Sequence, residues 1–132
     1  LIKYLPLACE DGSNMEAREW VAIASFLAGY AFNKSGLGYV HAISHQISAH
    51  YNTPHGIANA VLLTKVLRFN QSACANRLAR LETILSKDAK DLEANLANRF
   101  IGRIESLTRR LDIPSGLLEL MKNTMTILHV ML

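Results

Sequence analysis

Four of the chain's five histidines fall in one stretch, Gly38 to Gly56: His41, His45, His50 and His55. Imidazole nitrogen binds borderline metals such as zinc and ferrous iron, and it also moves protons near neutral pH. His41 and His45 are four apart, so on a helix they lie one above the other on a single face. His50 falls near the end of that helix and off the face. His55 follows Thr53-Pro54, a pair that suits the cap and first position of a new helix. A helix–loop–helix joint there returns His55 toward His41 or His45. The first turn of a helix also presents backbone N–H groups, which oppose a bare dication, so a metal at that corner requires a carboxylate as well. None lies near in sequence, since no Asp or Glu occurs between Glu19 and Glu82. Catalytic zinc takes three protein ligands, and ferrous iron often pairs histidines with a carboxylate. Residue types alone therefore leave two readings: an incomplete metal site, or interfacial and core histidines with satisfied hydrogen bonds.

The elements that must position these residues read as helices throughout. Ser13-Asn14-Met15-Glu16 has the form of a capping box with Ser13 as the cap, opening a helix to about Phe32. Within it Trp20 to Phe32 is apolar and uncharged, and Trp20, Phe26 and Phe32 are expected in the core. Asn33 to Gly38 breaks the pattern. A second helix is predicted over Tyr39 to Ala49, a third to about Phe69, and a fourth from about Ser72 to Leu85. Ser86-Lys87-Asp88 is expected to start a fifth, with the stripe Leu92, Leu96, Phe100, Ile104, Leu107 and Leu111 facing inward. Asp112-Ile113-Pro114 interrupts it, and Ser115 caps a last apolar segment. No strand pattern, repeat or linker is visible, so the chain reads as a single all-helical domain, a helical bundle over residues 1–132.

Bulk properties limit the function. With 132 residues the chain suits one domain. Half of it is hydrophobic and its mean hydropathy is +0.13, an apolar balance that anticipates a covering partner. The longest apolar run is shorter than the ~20 residues of a membrane span, so no membrane association is expected. The net charge of +3 comes from dispersed basic residues mixed with acids, without aromatic interleaving, which argues against nucleic acid. Arg99, Arg103 and Arg110 can share a helix face, and Glu105 is spaced to pair with Arg109. Cys9 and Cys74 stand far apart, as free thiols of a reducing compartment do. No signal peptide is visible, so a cytoplasmic location is expected. The chain starts at Leu1 in mid-pattern, which reads as a fragment or a processed product.

The order of residues narrows the choice. "GLGYVHAISHQISAHYNTPHGIANAVLL", residues 36–63, closely resembles the signature region of the iron-containing (group III) alcohol dehydrogenases. The matching features are His41, His45 four later, Ser48-Ala49, and the loop ending Pro54-His55-Gly56-Ile57-Ala58. Weaker resemblance extends to both sides. It implies the C-terminal helical half of a two-domain enzyme, the dehydroquinate synthase-like architecture, whose N-terminal α/β domain binds NAD or NADP. It further implies that His41 and His55 are two of four ligands, one Asp and three His, to Fe2+ or, in some members, Zn2+. The other two ligands would come from a helix preceding the region seen here. His45 matches a non-ligand histidine near the nicotinamide with a catalytic proton-transfer or cofactor-positioning role. The implied reaction is hydride transfer between a small alcohol or diol and the nicotinamide, with the metal polarising the alcohol oxygen.

This sequence departs from the family pattern in places. Gly36-Leu37-Gly38 is not a nucleotide-binding turn, because it lacks the third glycine and no strand precedes it. Thr64-Lys65 stands where the family often has Pro-His. The tail from Met121 does not resemble the usual ending, and His129 inherits no role. Two alternatives accompany the dehydrogenase reading. One is a zinc-dependent glycerol dehydrogenase or dehydroquinate synthase-like relative. The other is a non-catalytic helical domain stable through packing or self-association. Homo-oligomer formation fits the apolar excess under any of these.

Overall fold

The computed structural model describes residues 1–86 and 90–122. The expected start of a helix at Ser86-Lys87-Asp88 falls partly outside the described residues, and His129 and the end of the last segment fall wholly outside them. Five helices are bounded within that range: α1 Tyr4–Glu10, α2 Met15–Ser35, α3 Tyr39–Tyr51, α4 His55–Ser86 and α5 Glu93–Arg110. Residues 117–122 are also helical, and no described residue lies in a strand. The all-helical expectation holds for this range. No helix among the described residues is long and apolar enough to cross a membrane.

The caps explain where the helices begin and end. Asn14, not Ser13, caps α2, its Oδ1 accepting from the Ala17 N–H at 3.0 Å. Ser13 is diverted, because its N–H and hydroxyl both donate to Asp11 Oδ1 at 2.9 and 2.6 Å. Gly36 ends α2 with φ 78° and ψ 178°, a conformation open essentially to glycine alone. Asn52 ends α3 in the left-handed region. After α5, Asp112 takes φ 52° while its N–H reaches Arg109 O and the Ile113 N–H reaches Thr108 O. That pair of bonds is a Schellman turn, with aspartate where glycine is usual. Ser115 gives its N–H and hydroxyl to the Glu119 carboxylate, so the last helical stretch starts one residue later than its expected cap.

The expected break between the third and fourth helices is present but displaced. The two segments run on within α4 and meet at a kink at Cys74 (φ −134°, ψ 17°, outside the helical region), a few residues past the expected interval. The Cys74 thiol donates to Asn70 O at the bend. Likewise, α5 starts at Glu93, later than Ser86 to Asp88.

Two apolar clusters hold the helices. Ile47 of α3 packs with Ala58, Val61 and Leu62 of the first half of α4 and with Leu120. Leu78 of the second half of α4 packs with Ala97 and Ile101 of α5. The buried face of α5 is therefore centred one residue beyond the expected stripe: Leu96 is buried, Phe100, Ile104, Leu107 and Leu111 are half-buried, and Leu92 is exposed. Glu82 is fully buried against this face. Arg103 donates to it through two nitrogens at 2.6 and 3.0 Å, and Arg99 stands 3.6 Å away. Arg110 instead reaches Glu10 of α1, and Glu105 pairs with Arg68 rather than Arg109.

The core expectation for α2 fails. Trp20 is 48%, Phe26 71% and Phe32 46% exposed, and Ala17 is the only residue of α2 that is fully buried. The principal partner of α2 among the described residues is α1. Seven residues span about 10 Å of helix, against about 32 Å for the 21 of α2, so α1 covers only one end. Apolar residues also surround α2 rather than forming one stripe, and a single neighbour cannot bury such a helix. A groove of about 650 Å³ is left open, lined by Trp20, Ile23, Leu27, Ile84, Leu85 and Ile104.

Candidate metal centre

The predicted corner forms. Asn52 turns the chain out of α3, Thr53 is buried beneath the turn, and the Pro54 carbonyl accepts from the Ala58 N–H at 3.1 Å to open α4. Proline has no N–H to lose at this point, so the helix starts without an orphaned donor there. The Ile47–Ala58–Val61–Leu62 cluster clamps α3 to α4 directly behind the turn.

This packing brings three of the four clustered histidines together. Ring centres are 5.5 Å apart for His41 and His55, 4.9 Å for His45 and His55, and 6.2 Å for His41 and His45. Two imidazoles bound through nitrogen to one tetrahedral ion at ~2.1 Å have ring centres about 5 Å apart. Either pair containing His55 fits that spacing, while His41 and His45 are too far apart for it. His55 is thus the hub, and geometry by itself leaves His41 and His45 as its two candidate partners. His41 is half-buried, with the Phe32 ring centre 6.0 Å away, while His45 and His55 are exposed. His50 lies exposed in the last turn of α3, on the far side of the helix.

The donor set is incomplete as it stands. Among the described residues no three His, Cys, Asp or Glu side chains are arranged to hold a metal ion. His55 occupies the first turn of α4, where no acidic residue offsets the positive helix end. Two converging imidazoles therefore supply part of a shell, and anionic oxygen must come from elsewhere.

A family model described as the Fe-containing alcohol dehydrogenase family, C-terminal, matches residues 1–127. The chain belongs to the iron-containing alcohol dehydrogenase family. It is 41% identical over 119 residues to an NAD-dependent methanol dehydrogenase of Bacillus methanolicus, covering 89% of this chain and 31% of that protein. It is 43% identical over 110 residues to a 1,3-propanediol dehydrogenase of Klebsiella pneumoniae, covering 83% and 28%. The solved structure of a 1,3-propanediol oxidoreductase superposes with a TM-score of 0.81 at 41% identity, over 86% of this chain and 30% of that one. The chain thus spans about a third or less of the relatives it matches, and it corresponds to the family's helical C-terminal region.

Sequence reasoning missed one pair beside the histidines. Ser44 is fully buried, and its hydroxyl donates to Asn59 Oδ1 at 2.6 Å, across fifteen residues from α3 to α4. Ser44 is three after His41 and one before His45, and Asn59 is four after His55. Polar side chains at these offsets, on otherwise apolar inner faces, are the signal that marks them. Asn59 also borders a cleft of about 490 Å³ beside His41, together with Phe32, Leu37, Leu63 and Leu67.

Proposed function

We propose that this chain is the metal-binding helical part of an NAD(P)-linked alcohol dehydrogenase acting on a small alcohol or diol, or on the aldehyde in reverse. The observation that carries the reading is the approach of His41 and His55 across the α3–α4 corner to 5.5 Å. His41 and His55 are two ligands of a divalent ion, Fe2+ by the family's character, with Zn2+ the alternative. An Asp and a further His outside these residues complete the shell and supply the negative charge the corner lacks. When bound, the ion supplies Lewis acidity toward the alcohol oxygen, and NAD or NADP, held mainly by an N-terminal nucleotide-binding domain, supplies the hydride acceptor.

The remaining roles belong to this chain's own side chains. His45, exposed and adjacent to His55, orients the nicotinamide side of the site and passes the alcohol proton to solvent. Phe32 stands beside His41 and, with Leu67, lines the cleft next to it. The open face of α2 receives the rest of the enzyme or a second copy, in a cytoplasmic assembly.

In an enzyme that includes the nucleotide-binding part, His41→Ala and His55→Ala should each abolish metal retention. Unchanged metal content by elemental analysis would reject the ligand assignment. These 132 residues alone should show no nicotinamide-linked turnover with methanol, 1-propanol or 1,3-propanediol. Robust turnover from them would overturn the division of labour between the two parts.

A further inference from the structure

Two histidines on different helices share an ion only if the helices hold one relative rotation. A ring five to six ångströms from its partner is displaced by its own radius when a helix turns by a fraction of a residue. Apolar contacts tolerate such slippage, because dispersion is non-directional, whereas a short hydrogen bond between buried groups does not. The α3–α4 contact contains a short bond with one fully buried partner, Ser44 Oγ–H to Oδ1 of the half-buried Asn59 at 2.6 Å. The alternative acceptor for the Ser44 proton, the His41 carbonyl of its own helix, lies at 3.2 Å. A hydroxyl has one proton to donate, and the shorter, interhelical bond takes it. The bond stands within one turn of His41, His45 and His55 alike.

We propose that Ser44 and Asn59 are a positioning pair. Their hydrogen bond fixes the rotation of α3 against α4, and with it the separation of the His41 and His55 rings. This rests on the reading of those rings as ligands, although the geometric part stands without a metal. Neither residue touches the ion or the substrate; they act through the histidines. Ser48, one turn further along α3, provides an internal contrast. Its Oγ is buried and has no hydrogen-bond partner among the described residues, so it contributes bulk to the same interface without direction.

The experiment uses the chain itself, well below its unfolding midpoint, with Co2+ as the probe. Ring-to-ring nuclear Overhauser contacts between His41 and His55 are measured without metal, and Co2+ affinity is followed by visible absorption. Ser44→Ala and Asn59→Ala should each weaken the ring contacts and lower Co2+ affinity about tenfold. The double substitution should do little more than either alone. Asn59→Asp, which keeps the acceptor oxygen, should restore the contacts, and Ser48→Ala should change neither readout. A folded Ser44→Ala chain with unchanged contacts and unchanged Co2+ affinity overturns the pairing. Contacts that respond as expected in a chain binding no Co2+ uphold the positioning, and the ligand reading is then decided separately by the metal content of His41→Ala and His55→Ala in an enzyme that includes the nucleotide-binding part.

Discussion

Each histidine of the corner carries a distinct expectation. His45 is closer to His55 than His41 is, so distance alone does not separate ligand from proton carrier. His45→Gln in an enzyme with the nucleotide part should lower turnover by about a hundredfold while metal content stays at the wild-type level. Loss of metal in step with activity would instead make His45 a ligand. The convergence was legible from residues: a four-residue spacing fixes two rings on one face, and Thr53-Pro54 fixes the turn that returns His55. The Ser44–Asn59 bond was not, because it depends on the rotation of two helices about each other, which neither helix's own periodicity encodes. His50, nine residues from His41, lands on the opposite side of α3 for the same reason that His45 lands beside it.

The helices are set by a few local devices whose removal has calculable cost. Gly36→Ala forces an L side chain into φ 78°, ψ 178°, with no steric neighbour to blame, so the cost is backbone strain of about 1–3 kcal/mol. Asp112→Gly should relieve the left-handed Schellman position and stabilise by about 0.5–1 kcal/mol, read from urea unfolding. Glu82 joins α4 to α5. The Arg103 guanidinium, by its hydrogen bonds, holds the Glu82 carboxyl below its ordinary value of 4.5 despite burial. A depressed carboxyl stabilises the fold fully above that ordinary value, and the contribution drains as pH falls through the lower folded value. Unfolding midpoints should therefore fall on acidification below about pH 4.5, and the fall should flatten in Arg103→Met. That substitution removes both Arg103 hydrogen bonds from a buried carboxylate, leaving it Arg99 at 3.6 Å, and should cost about 3 kcal/mol, whereas Glu82→Leu combined with Arg103→Met should cost less than Arg103→Met alone. Helix boundaries were readable to within a few residues where a glycine or proline enforced them. The break between the third and fourth predicted segments was legible, but its place was not: it falls at Cys74, past the polar Asn70-Gln71-Ser72 interval, which stays helical.

At the scale of the molecule, α4 carries the histidine corner at one end and the Glu82 network at the other, and it belongs to both apolar clusters. The helical class was plain from periodicity, whereas burial of α2 was misread because burial belongs to an assembly and not to a segment's composition. Covering that helix should be visible in its indole: Trp20 in the isolated chain should emit at longer wavelength than in the whole enzyme. Equal emission would show the face uncovered in both. If α2 is enclosed in the enzyme as proposed, Phe26, Leu27 and Tyr30 face opposite demands in the two settings. Lysine or glutamate there would improve soluble expression of these 132 residues and cripple the intact protein. A mutant library selected on this piece for solubility would thus enrich for alleles that natural selection on the full gene should remove.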